Sequence, residues 1–436
     1  MKHSAGKSLS TQQKKSNPDT EYEPEPRPSL VGVFNLGPKK MTKIPLSQAK
    51  QTIIKCQLLD KPSGKGKAGA LKALEHLGYV QIDTISVIER AHHHVFWSRC
   101  PDHKKEHLNE LQAKDRKVFE YWGHAASFLP MSDFRYSIPV MEAHRQRDDV
   151  KTVLGTYKEL SVQVLDRIRR EGALSSSDFE TPVDFERGPW WGWKPAKQVL
   201  EALFWTGELM VSHRKNFQRY YDFPERVIPS STNLEKPDEG EFAKFKVRAV
   251  LRTLGFANIQ DICWMRRNKI AMKKALQEMT ENGEAVEVEI EGLDDTYYCL
   301  TNNLSVNEEK SNLNCNILSP FDNAVIRRDR LGKIFGLEYS LECYVPPNKR
   351  KFGYFTLPIL LGADFVGLLD AKAERKSKTM LVQKIMLDKK ATLSKPLDTI
   401  AKKLADFAKF NGCEKISVLQ AEPQILKQKL EKLTNY

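Results

Sequence analysis

The stretch GYVQIDTISVIERAHHHVFWSR, Gly78–Arg99, holds the most chemically suggestive spacing in the sequence. Val80 and Ile82 alternate with Gln81 and Asp83. Side chains along a strand point to opposite faces in turn, so an amide and a carboxylate share one face. A carboxylate can serve as a general base or stabilise a developing positive charge, and an adjacent amide can orient water through its donor and acceptor atoms. A structural reading competes: Asp83 or Thr84 can cap the next helix, and Ser86 with Glu89 has capping-box spacing. The run His92–His94 suggests metal, but consecutive helical residues diverge and no His, Asp or Glu stands at i+3 or i+4 in a ligand pattern. A phosphate groove lined by His92 or His93, beside Arg90 and Arg99, is the reading this segment favours.

Other candidates lie further along. YWGHAASFLPMSDFRY (Tyr121–Tyr136) is apolar enough to be largely core, while His124, followed by small residues, can approach a ligand. Trp190, Trp191, Trp193, Lys194 and Lys197 stand at the mouth of an amphipathic helix, and His213, Arg214, Lys215 and Arg219 follow in a hairpin pattern. Basic groups interleaved with aromatics contact phosphates and stack on bases or sugars. PPNKRKFGYF places Lys349, Arg350 and Lys351 at a turn, either a solvated hairpin or a probe entering a groove. A G-x-G-x-x-G at Gly64, Gly66 and Gly69 opens a helix, but the element before it reads as helix, so the strand context that gives those glycines meaning is missing. A basic loop is the better reading. No serine elbow, phosphate-loop lysine motif or HExxH is present.

The elements that must position these groups follow from composition and periodicity. At 436 residues the chain is long enough for two to four structural units. Its 69 Lys and Arg against 56 Asp and Glu, with pI near 9.2, create a field that attracts polyanions such as nucleic acid. Seven scattered cysteines (Cys56, Cys100, Cys263, Cys299, Cys315, Cys343, Cys413), without CxxC, indicate neither a disulfide framework nor structural zinc and fit a reducing compartment. No apolar run approaches the roughly 20 residues of a membrane helix, and no signal-peptide core is present. A soluble cytoplasmic protein with no membrane partner and no cofactor is expected.

Residues 1–43, rich in Lys, Ser, Pro and Glu, lack a periodic apolar face and read as a disordered arm. A weak repeat follows. LKALEHLGYVQID, KQVLEALFWTGELMVSH and KKALQEMTENGEAVEVEI each run an amphipathic helix through a Gly-containing turn into a strand, as a winged helix does at its recognition helix and wing. The second and third copies also have an upstream helix, a glycine and the start of a short second helix. Beyond Asn303 the pattern turns to aromatic strands (GLEYSLECYV, KFGYFTLPILL, DFVGLLDAKAE, KTMLVQKIML), then an amphipathic helix and the closing strand CEKISVLQ. The expected architecture is α+β: a first winged-helix region over 44–158, a second over 159–235, a third over 236–304, and an antiparallel β-barrel-like domain over 305–436.

Four long segments, VQIDTISVIERAHHHVFWSR, EYWGHAASFLPM, WWGWKPAKQVLEALFWTGELMVSHRKNFQRYYDFPERVIP and SPFDNAVIRRDRLGKIFGLEYSLECYVPPNKRKFGYFTLPIL, resemble in sequence and order the YcaQ/AlkZ group of bacterial winged-helix DNA glycosylases. The resemblance runs from about residue 45 to the end. It implies a C-shaped monomer acting on duplex DNA that carries N7-alkylated purines or interstrand crosslinks, and a catalytic Gln–apolar–Gln or Gln–apolar–Asp triplet falling on Gln81, Ile82 and Asp83. Asp at the last position is similar to the YcaQ branch. Helix-turn-helix folds also serve in transcription factors and protein scaffolds, so a non-catalytic DNA-binding protein is the alternative.

Overall fold

Three times the chain runs a helix into a left-handed glycine and then a strand. Helix Gly66–Leu77 ends at Gly78 (φ 76°) before strand Val80–Gln81, helix Pro195–Thr206 ends at Gly207 (φ 78°) before Met210–Lys215, and helix Lys269–Glu281 reaches Gly283 (φ 77°) before Ala285–Ile290. Glycine takes positive φ without a Cβ clash, which lets each helix stop and reverse within a few residues. These are the three repeats legible in the sequence.

The second and third copies are built alike. Met210–Lys215 pairs antiparallel with Gln218–Asp222, and Ala285–Ile290 with Thr296–Leu300. In each, a residue just after the preceding long helix (Lys158–Glu171 or Glu239–Leu254) bridges the returning strand, Leu174 to Tyr221 and Ala257 to Tyr298. The first copy departs from this plan. Its two-residue strand pairs with Ala126–Pro130, which pairs with Val118–Trp122, and helices Ala91–Arg99 and Lys105–Ala113 lie between in sequence. The chain therefore leaves the sheet at Ile82 and enters an irregular segment carrying Asp83.

The computed structural model describes residues 41–180, 194–265, 268–304, 313–424 and 426–434, and the chain from Met41 onward forms one compact unit. Residues 1–40 of the expected arm lie outside the described residues. Thr42 and Lys43, assigned to that arm, instead form with Ile44 a strand parallel to Ala285–Ile290.

The C-terminal sheet runs in the order Lys415–Val418, Thr379–Leu387, Asp364–Glu374, Thr356–Leu361, Cys315–Ile317. Bulges at Ile359/Leu360 and Asp370/Ala371 curve it. It is an open half-barrel and not wholly antiparallel. Helix Ser394–Phe410 carries the chain back across, so Lys415–Val418 and Ala421–Glu422 join Thr379–Leu387 in parallel. GLEYSLECYV, expected as a strand, is a loop. Its backbone neighbours are satisfied by a side chain, because the Glu342 carboxylate accepts the N–H groups of Lys351, Phe352 and Gly353.

One apolar cluster joins the first copy to this sheet. Ile88 and Trp97 pack with Phe355, Leu357, Leu369 and, from helix Ser394–Phe410, Phe407, while Ile85, Val87, Leu341 and Tyr354 pack against the same cluster.

Candidate active site

Strand Val80–Gln81 sets the first side of the site. Ile82 N–H donates to Ala126 O, so alternation directs the Tyr79 carbonyl to the opposite, open edge, where Asn323 Nδ2 donates to it at 3.1 Å. Gln81 is 8% exposed and its carbonyl Oε1 is buried without a donor. Asn323, 7% exposed, must turn Nδ2 to Tyr79, which leaves its own carbonyl Oδ1 buried without a donor too. Each such acceptor costs about 1–3 kcal/mol unless a ligand or water supplies a proton.

Asp83 is half-buried and its Oδ1 accepts the Ile85 N–H at 2.7 Å, forming a tight turn. Burial pushes its carboxyl up, and the Ile85 N–H opposes that shift. The helix-capping alternative does not match this geometry: the next helix begins at Ala91, Ser86 is exposed, and Glu89 accepts the Arg90 N–H at 3.0 Å. The intervening segment is fastened to the C-terminal elements. Glu89 N–H donates to Asn411 Oδ1 (2.6 Å), Ala373 N–H to Val87 O (2.8 Å), and Arg375 Nη2 to Ser86 O (3.0 Å).

A buried ion pair sets the second side. Arg99 and Asp322 are both 0% exposed and meet in a bidentate pair at 2.8 and 2.9 Å. Arg99 also donates to Gln57 O and Val95 O, and Asp322 accepts the Ala324 N–H, so Asn323 is held from both neighbours. The loop around Cys343 and Tyr344 borders the site on a third side, Leu341 packing on the apolar cluster that also takes Ile85 and Val87. Burial raises the Cys343 thiol, and the Asp83 charge raises it further. Asn323, Cys343 and Tyr344 escape sequence reasoning because they lie some 240–260 residues from Gln81. SPFDN carried the only signal, an Asp–Asn pair against an apolar run.

The candidate DNA contacts divide sharply. Arg99, His92 and His93 are interior, beyond the reach of a phosphate, and this corrects their reading as groove lining. His92 packs on Phe128 and Phe217, and His93 Nδ1 meets His103 Nε2 at 3.2 Å. Arg90 lies 4.1 Å over the Phe217 ring. Arg214 and Arg219, expected as solvated wing charges, are also corrected. Both pair with Glu120, 1% exposed, and Arg219 also pairs with Glu201. Burial alone would raise the Glu120 carboxyl, and the two arginines overcome it and hold it low. Charge reversal at Arg214 would therefore break the fold before it tested any groove.

His213 stacks on Tyr220 and His124 on Trp264, the latter at 4.5 Å. Lys194 and Lys197 are half-buried at the start of helix Pro195–Thr206, and Trp190, Trp191 and Trp193 lie outside the described residues. Lys215, Lys349 and Lys351 are exposed, with Lys351 paired to Glu338, while Arg350 donates to Val345 O. The glycines of GKGKAG pack structurally: Gly69 abuts Gly64, and the Gly66 N–H is taken by the Asp102 carboxylate at 2.9 Å.

The interior histidines imply a pH response. Burial pushes His93 and His103 down to about 3 and His94 to about 4, with His92 also well below its ordinary value. Above pH 6.5 they are neutral in folded and unfolded chains alike. Below it the unfolded chain takes up protons that the folded chain refuses, so stability falls by about 1.4 kcal/mol per pH unit for each histidine until the folded values are reached. The urea midpoint should drop between pH 7.5 and pH 5, and a flat profile there would contradict these burials.

Fold and sequence now define a class. Residues 74–410, spanning the Gln81 strand, the Asp322 segment and most of the C-terminal sheet, match the family described as DNA glycosylase AlkZ-like. The chain belongs to the AlkZ-like DNA glycosylase family. Among solved structures it is similar to Streptomyces sahachiroi DNA glycosylase AlkZ, with a TM-score of 0.58 and 17% identity over 87% of this chain and 100% of that one, a likeness of fold. Among the described residues no helix is long and apolar enough to cross a membrane.

Proposed function

We propose that the protein hydrolyses the N-glycosidic bond of N7-alkylated purines in duplex DNA, including purines held in interstrand crosslinks, and leaves abasic sites. The observation that carries this reading is the half-buried Asp83 carboxyl beside Gln81, whose buried amide oxygen has no donor. Alkylation at N7 makes the purine cationic and already a good leaving group. What remains is to stabilise an oxocarbenium-like sugar and to deliver water to C1′. Asp83 supplies the negative charge and accepts the proton of the attacking water, Gln81 orients that water, and the bond's electron pair leaves with the base and neutralises it.

The triplet is the Gln–apolar–Asp form, similar to the YcaQ branch, and it holds no lysine for a Schiff base, so strand cleavage is not part of the proposed reaction. We read the three helix–glycine–strand copies as winged helices within the boundaries drawn from the sequence. Lys194, Lys197, Lys215, Lys349 and Lys351, with His124, are the proposed DNA contacts. A base tethered to both strands cannot be withdrawn into a closed pocket, which favours an open site.

The test is to incubate the protein with duplex containing N7-methylguanine, or with a nitrogen-mustard crosslink, and to cleave abasic sites with alkali. Strand breaks above background are expected from both. Their absence from both would overturn the enzymatic reading in favour of a non-catalytic DNA-binding protein.

A further inference from the structure

Tyr344 is 86% exposed on the loop that borders the site on a third side. A singly exposed aromatic is ordinary on a protein surface. The way this one is held is less ordinary. Buried Glu342 accepts the N–H groups of Lys351, Phe352 and Gly353 at 3.0, 2.7 and 3.1 Å. Its own carbonyl accepts the Val345 N–H at 2.9 Å, and Arg350 Nε donates to Val345 O at 2.8 Å while its guanidinium lies 5.0 Å from the Tyr354 ring. Tyr354 N–H is fixed to the Asp370 carboxylate at 3.1 Å. A well-braced loop thus spends its bonds on the residues around Tyr344 and leaves that ring outside.

The loop that carries the ring is packed with the Asp83 segment. Leu341, three residues before Tyr344, and Tyr354, further along, pack on the same apolar cluster as Ile85 and Val87, which follow Asp83. The Tyr344 phenol is raised by partial burial and then by its neighbours, Asp83 among them. Exposed Lys349 on the same loop supplies positive charge for a backbone alongside.

We propose that Tyr344 is the stacking platform for the damaged base, its ring face meeting the cationic purine while Asp83 addresses the sugar. This rests on the proposed glycosylase reading and adds a basis for lesion recognition. An aromatic face attracts a cation through its quadrupole, and every base has a π-face to stack. An N7-alkylated purine has both properties, whereas an undamaged purine or the departed neutral base has only the second. The platform therefore favours the lesion over normal DNA and does not retain the product. Because positive charge moves from base to sugar as the bond breaks, the attraction is greater in the ground state than in the transition state, so its loss falls on KM more than on kcat.

The experiment compares Tyr344→Ala, Tyr344→Leu and Tyr344→Phe with the parent chain. Affinities for an N7-methylguanine duplex and for the undamaged duplex are measured by fluorescence polarisation in an Asp83→Asn background, where the lesion is not consumed. Preference for the damaged duplex should fall on the order of tenfold in the Ala and Leu variants and persist in the Phe variant. The same substitutions in the otherwise native chain should raise KM. Full preference with Leu, a kcat-only loss, or a parent chain without preference would each overturn the platform. A parent chain that prefers the lesion yet releases no base would overturn the glycosylase reading and leave the platform standing.

Discussion

Asp83→Asn lowers turnover on an N7-methylguanine duplex by about 10²–10³-fold and leaves affinity for that duplex within a few-fold of the parent. Asparagine keeps the shape and can still accept the Ile85 N–H through Oδ1, so the turn that holds residue 83 survives. In the proposed reaction, what is lost is the negative charge facing the sugar and the basic oxygen that takes the proton of water. Burial has already raised the Asp83 carboxyl. Since the proposed reaction requires the ionised form, turnover in the parent should decline as pH falls through that raised value, above the ordinary 3.8. Single-turnover rates and equilibrium binding, measured on the same duplex across pH, check both parts. A parallel loss of binding and rate would make Asp83 a positioning group rather than a reacting one.

Arg99→Met removes about 3–5 kcal/mol of stability, the largest change expected from any single substitution at the site. The cause is not the missing attraction alone. Asp322 is wholly buried and would be left charged with no cation beside it, and the carbonyls of Gln57 and Val95 would lose donors in the same interior. Asp322→Asn should cost a comparable amount, since it leaves the wholly buried Arg99 guanidinium without its anion even though asparagine can still accept a hydrogen bond. Urea unfolding of the purified variants measures both. A cost below about 1 kcal/mol for Arg99→Met would mean that water or rearrangement satisfies Asp322, and would remove the ion pair from the account of how Asn323 is placed.

The candidate pair is legible because its information is local. Gln81 and Asp83 alternate with Val80 and Ile82, and that pattern singles out an amide and a carboxylate two residues apart, although the strand itself ends at Gln81 and Asp83 lies in the irregular segment beyond it. The helix–glycine–strand repeats were legible for the same reason, each being written within about 17 residues. Misreadings arose where a partner is distant. Arg214 and Arg219 have the composition of a solvated wing, and nothing nearby reveals that Glu120, some 95 residues earlier, takes both. His92, His93 and Arg99 have polar side chains on a helix buried on every side, where aromatic neighbours, Asp322 and shifted protonation replace water. GLEYSLECYV has strand-like alternation, but the bonds that decide its form come from the Glu342 side chain, which periodicity does not report.

The threading of the site through the chain has a consequence for how the protein comes into being. Gln81 and Asp83 leave the ribosome early, yet the groups that fasten them, Asn323 to Tyr79, Asp322 to Arg99 and Asn411 to Glu89, are separated from their partners by 244, 223 and 322 positions. At typical elongation rates of about 5–20 residues per second, the early half waits many seconds for its other walls. A nascent or prematurely ended chain would hold the proposed reactive pair without the frame that aims it. Competence to cut bases from DNA would then arrive at the end of synthesis, with closure of the longest loops in the molecule, rather than accumulate as the chain grows.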